Sequence, residues 1–431
     1  MKTDYTITCL GTGDVLSDEN LPLSNPKSEK PAFLRAEYKK KQIELGDDSL
    51  GLYKFADWLP IQRTLEGSGS PVTYRSEGLA RVLGLGNLYI TFNGYWPEKN
   101  GRMMTGTFKE CEAYSVCARM PDDFNDILVV ASVGNTSRAF ARVCSANGIP
   151  LVVVVPERNI DSMWFSEEIK GCVKLVSAGG DSDYFDAIRL AGLLCEQDGF
   201  VPEGGAKNIA RRDGMGTTVL SAAAEIGEIP DYYFQAIGSG TGAISAWEAN
   251  LRLLEDGRFG NKKMKLFISQ NAPFLLVHDS WKQGSRDLVD LDSDLARTYS
   301  DIMLAKVLSN RKPPYSITGG LFDALSDSEG DVIPVTNEEA LEGAKLFEKE
   351  EGIDPAPAAS IAIGSLIKAV KENRMDLNAV IMLNVTGGGF NRLKSENTIQ
   401  YLQPSRVIAR EDVTEERVAK LAQDIKGEIN G

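Results

Sequence analysis

The run GRMMTGTFKECEAY, residues 101–114, sets one lysine, Lys109, among small and polar residues. Most lysines are solvated surface charges. Here Thr105 or Thr107 can cap a helix, Phe108 points into a core, and Lys109 falls in the first helical turn. The positive end of a helix disfavours an ammonium, and an amine held near neutrality can form a Schiff base with a carbonyl. Three other clusters carry donors. In SVGNTS, Ser132, Asn135 and Thr136 stand where a strand meets a helix, an arrangement that caps the helix and can equally hold a carboxylate. In GSGTG, Gly238, Gly240 and Gly242 leave backbone N–H groups uncovered, and Ser239 and Thr241 add hydroxyls, which together suit a phosphate. That loop lacks the Lys-Ser/Thr ending of a Walker loop and does not match G-x-G-x-x-G, and on its own a tight turn without ligand explains it as well. In TGGG, Thr386 offers one hydroxyl after a buried strand, and alone this is a turn.

Composition narrows the chemistry. The chain of 431 residues has one histidine, His278, so Ser-His-Asp and Cys-His catalysis and multi-histidine metal sites have almost no material. His278 itself reads as a packed or capping residue. A net charge of −14 repels phosphate backbones and argues against a general nucleic-acid binder. No apolar run approaches the ~20 residues of a membrane span, the N-terminus has no apolar stretch of signal-peptide length, and a cytoplasmic location is expected. The six cysteines form no C-x-x-C pair and imply no disulfide framework.

The elements that must position these residues are strands alternating with helices. ILVVAS, IPLVVVV and VKLVSA read as buried strands, separated by the helices TSRAFARVCSAN and, after the last of them, YFDAIRLAGLLCEQDG. The rhythm returns in YYFQA, AISAWEANLRLLED, MKLFISQ, SIAIGSLIKAVKEN and AVIMLNV, so a parallel sheet covered by helices is expected, with ligands at the carboxyl ends of the strands. The first ~55 residues, with LPLSNPKSEKPAFLRAEYKKKQ, read as an irregular extension. The tail REDVTEERVAKLAQDIKGEING reads as a charged surface helix.

Four motifs in order, T-G-T-F-K, S-V-G-N-T, G-S-G-T-G and T-G-G-G, resemble the fold-type II enzymes that depend on pyridoxal phosphate, and most nearly the threonine synthase family. The likeness extends over GLYKFADWLP, GSGSPVTYRSEGLARVLGLGNLYITFNG and ARRDGMGTTVLSAAAEIGEIPD. It implies an α/β fold of two open parallel-sheet domains, like tryptophan synthase β, with the cofactor in the cleft between them. The implied division is an extension 1–55, a large cofactor domain from 56–120 and 205–431, and a smaller domain 121–204 with the asparagine loop. By the same resemblance Lys109 matches the Schiff-base lysine, Asn135 the asparagine at the cofactor's 3′ oxygen, Gly238 to Gly242 the phosphate loop, and Thr386 the hydroxyl facing the pyridine nitrogen. A hydroxyl there leaves the nitrogen unprotonated, which suits elimination and replacement better than transamination.

The chain also departs from threonine synthases. Glu110 and Cys111 follow the lysine where K-D-R is usual, Val133 replaces a serine of S-S-G-N, and Gly216 in RRDGMGT stands where a lysine is expected. Only Cys9 remains of the paired cysteines of a zinc ribbon, so no metal is expected. MMTGTFKECEAYSVCARM with ASVGNTSRAF is similar to the cysteate synthases of methanogens, a family allied to threonine synthase. This implies formation of L-cysteate and phosphate from O-phospho-L-serine and sulfite, a step towards coenzyme M. Threonine synthesis from O-phosphohomoserine, phosphoserine-dependent cysteine synthesis, and a silent amino-acid-binding descendant are the alternatives. Ser132, Asn135 and Thr136 are candidates for the substrate carboxylate. Arg138, Lys207, Arg211 and Arg212 are candidates for the leaving phosphate or sulfite, with surface salt bridges as the competing account. A homo-oligomer acting on small molecules is expected.

Overall fold

The computed structural model describes residues 1–132 and 134–430, so Val133 lies outside the described residues. Two sheets dominate. One has six strands, in the order Asp331–Val335, Lys265–Asn271, Tyr232–Ala236, Val380–Val385, Asn87–Phe92 and Val72–Arg75. All pair in parallel except the edge strand Val72–Arg75. The other has five parallel strands, in the order Phe200–Pro202, Ile127–Ala131, Leu151–Pro156, Val173–Gly179 and Arg406–Ala409. Runs such as Leu151–Pro156 are buried along their whole length, which is why they read as continuous β-branched stretches. Among the described residues no helix is long and apolar enough to cross a membrane.

Two expectations need correction. The first ~55 residues are not irregular throughout: Tyr5–Cys9 pairs antiparallel with both Val15–Leu16 and Leu34–Tyr38. In LRAEY the residues Leu34, Ala36 and Tyr38 are buried and alternate with Arg35 and Glu37, a period of two hidden by the basic, proline-containing flanks. The tail is more than a charged surface helix and does not join the larger sheet. Arg406–Ala409 extends the five-stranded sheet, and Val418, Leu421, Ala422 and Ile425 of the helix Glu415–Asn430 pack into its core with Ile127 and Val129. Their spacing of three, one and three residues is the stripe of an amphipathic helix.

Candidate active site

Lys109 opens the helix Lys109–Arg119, and the turn before it is pinned to the TGGG segment. The Phe108 N–H donates to the Thr386 carbonyl at 3.0 Å, and the Gly388 N–H donates to the Gly106 carbonyl at 3.0 Å. Gly106 has φ 69°, and a Cβ there would lie 2.3 Å from the Phe390 ring, so only glycine fits this approach. The lysine turn is thereby held against Thr386, far away in sequence, at the carboxyl end of the strand Val380–Val385.

Lys109 Nζ lies 3.2 Å from Glu112 Oε2 and 4.9 Å from the centre of the Phe108 ring. Burial pushes its pKa below the ordinary lysine value; Glu112 opposes this and the charge of Arg211 adds to it. Glu112 is fully buried and gives its other oxygen to Arg211 Nη2 at 3.0 Å. Arg211 also donates to Glu203 Oε2 at 2.6 Å and to the Thr136 hydroxyl at 3.3 Å. One guanidinium therefore ties the lysine helix to the helix Asn135–Asn147.

A cavity of about 1230 Å³ collects Lys109, Ser132, Asn135, Thr136, Lys207, Arg211, the whole loop Gly238 to Gly242, and Thr386. In the loop, Ser239 Oγ and Thr241 Oγ1 are 2.8 Å apart and the Thr241 N–H donates to Ser239 Oγ at 3.3 Å. The loop opens the helix Thr241–Asp256, so its donors face the site at a helix N-terminus.

Two of the candidate cations lie elsewhere, which corrects the expectation for them. Arg138 donates to the Trp164 carbonyl at 3.0 Å and stacks 3.5 Å from the centre of that ring, buried outside the cavity. Arg212 is spent on Glu248 at 2.9 Å, the Ala206 carbonyl at 2.6 Å and the Leu34 carbonyl. Arg211 lines the cavity but is committed to Glu112 and Glu203, whereas Lys207 is exposed at the rim. His278 pairs with Asp279 and does not line the cavity.

The donor set fits pyridoxal phosphate. Thr107 lines the cavity with its hydroxyl buried and without a hydrogen-bond partner among the described residues, the amine of Lys109 has lowered basicity, and the glycine loop offers N–H and hydroxyl donors suited to an anion. Residues 87–387 match the family model of pyridoxal-phosphate dependent enzymes. The chain is 46% identical over 411 residues to the cysteate synthase of Methanosarcina acetivorans, covering 95% of this chain and 98% of that one. It is 43% identical over 422 residues to that of Methanocella paludicola, covering 97% of each.

The chain belongs to the cysteate synthase family.

It is thus a pyridoxal-phosphate enzyme, and its fold agrees. Serine racemase from Dictyostelium discoideum superposes with a TM-score of 0.54 at 16% identity, covering 74% of this chain and 92% of that one. Threonine deaminase isoform 2 from Solanum lycopersicum gives 0.55 at 15%, covering 82% and 95%. In this member of the cysteate synthase family, sequence reasoning missed Glu112, Glu203 and the cations Arg158, Arg297, Lys306, Arg311 and Lys312 that also line the cavity or stand behind it. Glu112 left a signal, since a residue three along a helix from Lys109 shares its face. The arginines after residue 290 left none, because their segment carries no motif.

Proposed function

We propose that the protein replaces the phosphate of O-phospho-L-serine with sulfite, giving L-cysteate and inorganic phosphate, and that it does so as a cytoplasmic homo-oligomer. The observation that carries this reading is near-full-length similarity to cysteate synthases in a chain whose lysine, asparagine, glycine loop and Thr386 line one cavity. When bound, pyridoxal phosphate draws electrons from the α-carbon of an amino acid, which lets a β-substituent leave and a nucleophile take its place. Lys109 Nζ, Asn135, the loop Gly238 to Gly242 and Thr386 would hold it, between a lobe built on the six-stranded sheet and one built on the five-stranded sheet.

Lys109 Nζ is the group that takes the α-proton of phosphoserine and later returns it. Burial favours the free amine over the ammonium, which leaves Nζ a lone pair to take the proton, and Glu112 at 3.2 Å steadies the ammonium once it forms. Ser132 and the start of the helix Asn135–Asn147 orient the substrate carboxylate. The Cβ–O bond breaks with its electron pair leaving on phosphate, and the sulfur lone pair of sulfite forms the new Cβ–S bond. The test offers purified protein phosphoserine with sulfite, phosphoserine with sulfide, and phosphohomoserine with water in parallel. Cysteate is the expected product, and threonine from phosphohomoserine without cysteate would sink the proposal.

A further inference from the structure

The cavity is a basic spot in an acidic protein. Eight cationic side chains line it against three carboxylates, Asp181, Asp183 and Asp301. The cations differ in how far they are already used. Arg211 is engaged on both sides by buried carboxylates. Arg297 and Arg311 are not. Their only ionic partner is one shared oxygen, Asp183 Oδ2, at 3.5 Å and 3.7 Å, and neither guanidinium donates a hydrogen bond among the described residues. Those separations exceed the roughly 2.7–2.9 Å of a charge-assisted hydrogen bond. Both guanidiniums therefore keep their donors free while standing beside each other at one carboxylate.

Asp183 cannot simply swing in to satisfy them. Its Oδ1 accepts the N–H groups of Phe185 at 2.8 Å and Asp186 at 3.3 Å, and its own N–H donates to Asp186 Oδ2, which fixes the side chain as the cap of the helix Tyr184–Cys195. The helix cap thus holds one negative oxygen where a larger anion would be met by two forks of donors. Arg311 is further held over the Phe185 ring, 5.1 Å from its centre, and is mostly shielded from solvent. A phosphate dianion has the oxygens and charge to engage two guanidiniums at once, which a single carboxylate oxygen does not.

Resting on the reading above, we propose that Arg297 and Arg311 form the subsite that receives the phosphate of phosphoserine, with Asp183 as the resident anion it must outbid. Selectivity for a phosphorylated amino acid is then set by Arg297 and Arg311, on the side of the cavity where Leu308 packs against Gly238 of the glycine loop.

The proposal makes predictions of opposite sign. Arg297→Gln and Arg311→Gln each raise the KM for phosphoserine roughly tenfold to a hundredfold, the loss of a charged hydrogen bond, and weaken competitive inhibition by inorganic phosphate equally. Asp183→Asn keeps the helix cap, because asparagine caps as well as aspartate, but removes the competing charge, so it lowers both the KM and the inhibition constant. Each variant is first checked for undiminished cofactor absorbance. Unchanged phosphoserine KM in both arginine variants, a rise confined to the KM for sulfite, or weaker phosphate inhibition in Asp183→Asn would overturn the subsite. Failure of the wild-type protein to make cysteate from phosphoserine would instead overturn the underlying reaction.

Discussion

Glu110 Oε2 meets Arg142 Nη1 at 3.0 Å inside the protein, and the pair joins the helix that starts at Lys109 to the helix that starts at Asn135. Glu110 also accepts the Thr105 N–H just ahead of the lysine. The residue that departs from the usual threonine synthase pattern is thus a brace between the two halves of the site. Glu110→Ala removes the buried carboxylate of Arg142, leaving its guanidinium to the half-exposed Glu167, the Gly67 carbonyl and the Tyr114 hydroxyl, and should cost about 3–5 kcal/mol. Glu110→Gln retains the Thr105 contact and should cost less. Urea unfolding of the two variants checks the order.

Lys109→Ala should abolish turnover and remove the cofactor's attachment. Borohydride treatment of the wild-type protein loaded with pyridoxal phosphate should fix the added mass on the peptide containing Lys109, and a mass found on another lysine would reassign the site.

Uptake of pyridoxal phosphate by the cofactor-free protein should follow the deprotonation of Lys109. Because burial lowers the pKa of Nζ, the rate should rise with pH through a midpoint below the ordinary lysine value of about 10.4. Glu112 favours the ammonium, so Glu112→Gln should move the midpoint lower still. An upward move would contradict the assigned role of Glu112.

Gly216 lies in the seam between the helices Ile209–Ile226 and Thr241–Asp256, where a Cβ would stand 3.3 Å from the Ser245 carbonyl oxygen and 3.4 Å from Ala249 Cβ. A lysine at this position would be forced between packed helices rather than into the cavity, which Gly216 does not line. Gly216→Lys should destabilise the fold by about 1–3 kcal/mol through overpacking without gaining threonine formation from phosphohomoserine.

Ile425 is 1% exposed and seals the five-stranded sheet from the C-terminal helix. Ile425→Ala should cost about 2–5 kcal/mol in denaturant unfolding; a near-zero cost would return the tail to a loose surface helix.

The strands and helices around the motifs were legible because buried parallel strands write themselves as unbroken β-branched runs, as Leu151–Pro156 does. The strand Leu34–Tyr38 was not, because its alternation is short and its neighbours are basic. Lys109, Asn135, the glycine loop and Thr386 could be read from motif order, and all line the cavity. The cations could not be sorted by type alone. Arg138 and Arg212 look no different in sequence from Arg297 and Arg311, and what separates them is whether tertiary packing has already supplied partners.

The most direct measurement is the joint yield of L-cysteate and inorganic phosphate from phosphoserine and sulfite by the purified, cofactor-loaded protein. The account predicts equal amounts of the two, dependent on both substrates and lost in Lys109→Ala. Phosphate released without cysteate, or threonine formed from phosphohomoserine in its place, would contradict it.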